Sequence, residues 1–135
     1  MRRCLRADRG GGLGGVTLLS AIPVLRSGDY PAARVFWTET LGFSVGEEGG
    51  DPARFGIFHK DKATVFVDAF QGAEPVPYDG WRAYLHCDDV DALAAELTGK
   101  GCEVDGPRDA VYGMREITLR DPDGNLLCFG QDIPK

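Results

Sequence analysis

The feature that most constrains this chain is an internal repeat. A helix-patterned segment opens on an aspartate twice, at Asp29 and Asp89. It ends on matching tripeptides, LGF at 41–43 and KGC at 100–102, so the offsets are 60 and 59 residues. Identity between the halves is weak, but the order of patterns is the same: strand, helix, then three strands. A chain of 135 residues built this way reads as a single domain over 19–135 made of two βαβββ modules, about 19–70 and 81–131. Each module covers one face of its sheet with its own helix and leaves the other face free. The expected fold class is α+β, with paired βαβββ modules forming a cup-shaped mixed sheet and the helices outside. Segment 71–80, QGAEPVPYDG, reads as the linker. Residues 1–18 fall outside the repeat and read as a flexible N-terminal extension.

Local patterns fill in the modules. LLSAIPVL (18–25) suits a first strand, with Pro23 at an edge or a segment junction because it lacks a donor. Ser27 or Asp29 can cap the following helix, and Pro31 fits its first turn. Ala33, Phe36, Trp37 and Leu41 form its buried stripe, and Gly42 stops it. Phe43–Val45 starts a strand, followed by a loop GEEGGDPA (46–53). RFGIFH and TVFVDAF make a hairpin across KDKA (60–63). In the second half WRAYLHCDD opens a strand. A helix follows over roughly 89–101, with Leu93 and Leu97 on one face. CEV (102–104) reads as a short strand and GPRDAVYG (106–113) as a loop. REITLR and NLLCFG are the last strands, turning at DPDG (121–124).

Charge narrows the partners. The formal net charge is −6, yet residues 1–10 carry four Arg and one Asp, so the rest of the chain carries −9. An acidic body without a basic face repels nucleic acid and suits a cationic small molecule. The four cysteines, Cys4, Cys87, Cys102 and Cys128, form no CxxC pair and no disulfide framework. Free thiols in a cytoplasmic protein are the expectation. GGGLGGVTLLSAIPV (10–24) is too short and too glycine-broken for a membrane span. GLGG (12–15) has no strand before it and no Lys-Ser/Thr after it, so it is not a phosphate loop.

Alternation sorts side chains to the two faces of each sheet. Ala83, Leu85 and Cys87 belong toward the helix, and Arg82, Tyr84 and His86 toward the cup. Ile117 and Leu119 pack on the helix side, with Glu116 and Thr118 in the cup. Phe66 and Asp68 oppose Val65 and Val67. Leu126 and Cys128 share a face. His59 goes with Phe55 and Ile57 to the helix side. The candidate ligand-binding set is therefore Phe66, Asp68, Arg82, Tyr84, His86, Tyr112, Glu116 and Cys128. Its aromatics supply flat apolar area and its acids supply negative charge, which fits a planar or cationic guest. Two simpler readings stand beside this one. The aromatics are ordinary core and the acids are solvated, or Arg82 pairs internally with Asp68 or Glu116 and removes the charge. Cys128 as a nucleophile would need His86 or Arg82 to make it a thiolate, and a buried inert thiol is the simpler reading.

AIPVLRSGDYPAARVFWTETLGF, KDKATVFVDAF, WRAYLHCDDVDAL and YGMREITLRDPDGN resemble the vicinal oxygen chelate superfamily of glyoxalases, extradiol dioxygenases and bleomycin resistance proteins. The resemblance covers about 20–131 and is sharpest to the bleomycin and phleomycin resistance proteins. In the metal-dependent members the ligand positions correspond to Ile22, Arg82 and Cys128 here, with Asp68 or a neighbour at the remaining one. An Ile cannot ligate, an Arg stays protonated, and a lone thiol with one carboxylate is a poor site. The resemblance thus implies no cofactor, no metal and no catalysis. It implies instead a cytoplasmic homodimer that sequesters a cationic glycopeptide-type antibiotic in a groove at the dimer interface. Loop 46–54, segment 71–80 and Tyr112 would border that groove. Where those proteins have WGREF, this chain has YGMREI, with Met114 inserted and Tyr in place of Trp. The alternatives are a binder of another small aromatic molecule on the same scaffold and a metal-dependent lyase or dioxygenase.

Overall fold

The computed structural model describes residues 14–134. Residues 1–13, which hold most of the expected extension and Cys4, lie outside the described residues. The first module runs β1 (Val24–Arg26), α1 (Tyr30–Val35), a π-helical turn (Phe36–Thr40), β2 (Ser44–Gly49), β3 (Phe55–Lys60) and β4 (Ala63–Asp68). The second runs β5 (Trp81–His86), α2 (Val90–Gly99), β6 (Asp105–Asp109), β7 (Met114–Arg120) and β8 (Leu126–Asp132). The sheet orders are β1-β4-β3-β2 and β5-β8-β7-β6. In both, the first strand runs parallel to the last and the other pairings are antiparallel. The α+β class and the repeated βαβββ order are as the sequence indicates. The strands form two separate four-stranded sheets, however, and not one continuous sheet.

The repeat extends to backbone angles. Asp29 sits at φ −149°, ψ 89° and Asp89 at φ −149°, ψ 87°. Their carboxylates accept from Ala32 N at 3.2 Å and Ala92 N at 3.0 Å. Each such cap contributes about 1 kcal/mol by satisfying an amide the helix leaves open. Beyond the helices, Gly42 (φ +76°) and Gly101 (φ +87°) take the left-handed conformation that reverses the chain. The first helix widens at its end, where Leu41 N donates to Phe36 O at 2.9 Å, five residues back. The expected stripe of Ala33, Phe36, Trp37 and Leu41 is buried. Trp37 meets Phe36 and Phe43 edge-on, at ring separations of 5.9 and 5.0 Å.

The core lies on the helix side of both sheets. It takes Leu25, Phe58, Val65 and Val67 from the first module, and Ala83, Ile117, Leu119, Leu127 and Phe129 with Val90 and Leu97 from the second. In β3 the helix side belongs to Gly56 and Phe58. Phe55, Ile57 and His59 stand opposite Asp68, Phe66 and Thr64, so they occupy the other face. The placement of His59 toward the helix is therefore corrected. FGIFH is apolar on both faces, and only its register against β4 decides which side is covered.

Three boundaries also differ. Residues 102–104 are irregular, and the strand is β6, through Gly106 and Pro107. An edge strand has one partner only, so a missing proline donor is tolerated there. β2 extends to Gly49 through a bulge between Val45 and Glu48, absorbing much of the expected loop. β1 has three residues, because residues 16–23 carry no regular structure. The modules meet at both ends. Asn125 Nδ2 donates to Arg26 O at 2.9 Å and Gly28 N to Asp123 Oδ1 at 2.9 Å. Lys100 Nζ reaches across to Glu39 O (3.0 Å) and Thr40 O (2.9 Å). Among the described residues no helix is long and apolar enough to cross a membrane.

Candidate functional site

Register alone assembles the site on the uncovered face of the second sheet. On β7, Glu116 stands opposite Gly130 and Thr118 opposite Cys128, both on β8. On the other side of β8, Tyr84 is level with Cys128 and His86 with Gly130. Tyr84, Glu116, Thr118 and Cys128 thus converge across three strands.

Glu116 is the centre. It is only 3% exposed. The Tyr112 hydroxyl donates to both its oxygens, at 2.6 and 2.7 Å. Tyr112 hangs from a tight turn, closed by Gly113 N to Ala110 O at 3.1 Å, with Gly113 at φ +87°. That hydrogen bond to Glu116, with some desolvation, pushes the Tyr112 phenol up to about 12. Tyr84 presents its hydroxyl to the same carboxylate, and burial followed by Glu116 raises its pKa too. Gly130 makes this possible, because a Cβ there would coincide with the Tyr84 hydroxyl. Cys128 is fully buried beneath them, and burial and the Glu116 charge hold its thiol up at about 12. It is a neutral floor to the site and not a thiolate nucleophile.

A bulge in β5 between Trp81 and Ala83 redistributes two residues. Trp81 comes level with Leu126 and packs its ring 5.2 Å from that of Tyr84. Alternation from Tyr84 had placed residue 82 there. Arg82 instead turns to the linker, where its guanidinium donates to Val76 O and lies 4.6 Å over the Tyr78 ring. The expected pairing of Arg82 with Asp68 or Glu116 is therefore absent. A second residue missed by the sequence reading is Arg108, which β6 places opposite Glu116. Its guanidinium pairs with Asp105 at 3.1 Å. Reading 106–113 as a loop hid it. His86 lies at the rim, with Nε2 2.9 Å from Asp132 Oδ2.

Phe66 and Asp68 occupy the corresponding face of the first sheet. Phe66 packs against Phe55 at 5.5 Å, and Asp68 Oδ1 accepts from Phe70 N at 3.1 Å. The structure thus brings Tyr84, Tyr112, Glu116 and Cys128 together on one sheet and leaves Phe66 and Asp68 on the other. The metal that some members of this fold use does not fit here. Ile22 has no lone pair, Arg82 is a permanent cation turned to the linker, and Cys128 keeps its proton. Among the described residues no group of three His, Cys, Asp or Glu side chains is disposed to hold an ion.

A family profile described as "Glyoxalase/Bleomycin resistance protein/Dioxygenase superfamily" matches residues 19–129. No match was found among curated proteins. Among solved structures, TnmS3, an antibiotic binding protein from Streptomyces sp. CB03234, is 29% identical, with a TM-score of 0.70, covering 87% of this chain and 99% of its own. A glyoxalase/bleomycin resistance protein from the same organism is 31% identical, with a TM-score of 0.67, covering 82% and 97%. The bleomycin resistance determinant encoded on the transposon Tn5 shares the fold at a TM-score of 0.72 and 23% identity, covering 85% and 98%. The chain belongs to the glyoxalase/bleomycin resistance protein/dioxygenase superfamily.

Proposed function

We propose that this protein binds and sequesters a small antibiotic-type molecule, cationic and partly aromatic, without transforming it. The observation that carries the reading is the buried Glu116 carboxylate, held by the Tyr112 hydroxyl and sharing with Tyr84 and Trp81 a sheet face that no helix covers. Exposed rings supply stacking area and the carboxylate supplies charge. The likeness to TnmS3, an antibiotic binding protein, supports the same reading. So does the chemistry at Ile22, Arg82 and Cys128, which offers a metal-dependent reaction no donor set.

The proposal includes a homodimer. Tyr84, Trp81 and Tyr112 on the second sheet and Val24 and Phe70 of the first module are exposed in the single chain. A partner copy that apposes its first module to this second module would turn two open faces into a groove, with Phe66 and Asp68 completing the wall. Trp81 stacked beside Tyr84 also suits a neutral planar guest, so a binder of another aromatic molecule is the second reading.

Titration calorimetry with metal-free and copper-loaded bleomycin, alongside analytical ultracentrifugation, tests the proposal. The expected result is saturable heat at one site per groove from a dimeric protein. No heat at high micromolar protein, or a monomer that saturates unchanged, would overturn the antibiotic and dimer parts respectively.

A further inference from the structure

We propose that Glu116 is the recognition charge of this site and Tyr112 its displaceable placeholder. A ligand ammonium, amidinium or guanidinium takes the carboxylate by pushing the Tyr112 hydroxyl off it. This rests on the reading above that the uncovered face of the second sheet binds a ligand.

The argument starts from an imbalance. A carboxylate this buried is ordinarily paired with a cation, because neutral donors offset only part of its desolvation. Among the described residues Glu116 has no ion-pair partner. Arg108, its neighbour across the ladder, is committed to Asp105 at 3.1 Å. Arg82 is committed to the linker carbonyl and to the Tyr78 ring. Arg115, one residue along, faces α2, where it holds Asp91 at 3.0 Å and Asp109 at 2.9 Å. Every arginine close in sequence or register is therefore engaged elsewhere, and the Tyr112 hydroxyl holds the carboxylate in a cation's place.

The two phenols are not equivalent. Tyr84 is fixed on a strand, its hydroxyl filling the space over Gly130. Tyr112 sits in a turn, is 58% exposed, and meets both carboxylate oxygens at once. That two-oxygen contact is the footprint an amidinium or guanidinium would take with two parallel N–H donors. Swinging Tyr112 outward uncovers the carboxylate and leaves its ring beside the entrance. The Tyr84 and Trp81 rings then offer their faces to the same cation.

Benzamidine and benzamide are suitable probes, one cationic and one its neutral isostere. Their binding is followed by NMR titration of wild type, Glu116→Gln and Tyr112→Phe. In wild type benzamidine is expected to bind about tenfold more tightly than benzamide, since a charge-assisted hydrogen bond exceeds a neutral one. Glu116→Gln should erase that preference. Tyr112→Phe should tighten benzamidine several-fold, on the order of 3–10, because the competing hydroxyl is gone and the ring remains. A wild type that binds both probes equally, a preference surviving in Glu116→Gln, or a Tyr112→Phe variant that binds benzamidine no better would each overturn the proposal. Bleomycin calorimetry separates it from the underlying reading. If bleomycin binds wild type and Glu116→Gln alike, the recognition role of Glu116 fails and sequestration stands. If bleomycin gives no heat but the benzamidine preference holds and is lost in Glu116→Gln, the antibiotic assignment fails and the recognition charge stands.

Discussion

Asn125→Ala tests the joint that sets one module against the other. The Asn125 side chain is buried, and its Nδ2 donates to Arg26 O and to Asp121 Oδ2, each at 2.9 Å. The first bond is neutral and crosses the modules. The second reaches a carboxylate that also accepts Asn125 N at 2.8 Å and Asp123 N at 2.9 Å. A neutral bond contributes about 0.5–1.5 kcal/mol and one to a charged partner about 1.5–3, so the variant should lose about 2–4 kcal/mol. The loss should depend on pH. Burial raises the Asp121 pKa above its usual value, and the Asn125 side chain pulls it back. A carboxyl raised in the fold contributes stability that is full below its unfolded value and is lost as pH rises through the folded one. Removing Nδ2 raises the folded value further, so the variant gives up more than wild type as pH climbs. Urea denaturation at pH 7 and pH 4 should therefore show the larger difference at pH 7. A difference below about 0.5 kcal/mol at pH 7, or an equal one at both pH values, would refute the role given to this side chain.

Two further outcomes are expected. Gly106 has φ +110°, and a Cβ there would approach Glu116 O to 2.7 Å. Gly106→Ala should cost about 1–3 kcal/mol and speed amide exchange across β6 and β7; unchanged exchange would show that the edge strand does not need the glycine. Cys128, with its thiol held up at about 12, should resist iodoacetamide at pH 8 in the folded protein and react in urea. Because the folded thiol is raised, its contribution is complete below the ordinary value and fades as pH rises toward 12. Stability should fall over that window, and less in Cys128→Ala; rapid alkylation of Cys128 in the native protein would refute its burial.

Much of this was legible in the sequence. Paired aspartate caps, helix-ending glycines and the offsets of 60 and 59 gave the modules, because capping chemistry is local and strict. Alternation placed Tyr84, Glu116, Thr118 and Cys128 on one face, because β7 and the regular part of β5 keep a clean period of two. It failed at His59, where both faces of the strand are apolar. It failed again at 105–109, where Gly106 and Pro107 read as a loop but occupy an edge strand. Two four-stranded sheets also cannot be told from one continuous sheet by pattern, since pairing between modules leaves no mark on alternation.

The bulges carry the deeper lesson about charge. With a regular β5, Arg82 would share the face of Tyr84, level with Leu126. The bulge between Trp81 and Ala83 exchanges that cation for an indole. The bulge between Asp105 and Arg108 brings Arg108 level with Glu116, where its guanidinium pairs with Asp105 at 3.1 Å. In both places the arginine engages a group other than Glu116, and bulges are a common means of re-aiming side chains near sites. Together they leave a buried carboxylate, two phenols and an indole facing outward. Restoring a cation should therefore silence the site more selectively than removing the carboxylate. In Trp81→Arg a guanidinium would replace the indole beside Tyr84, on the sheet face that carries Glu116. Such a variant should fold and lose benzamidine preference, whereas Trp81→Phe should keep it. Equal preference in both variants would mean that the indole, and not the missing cation, decides what binds.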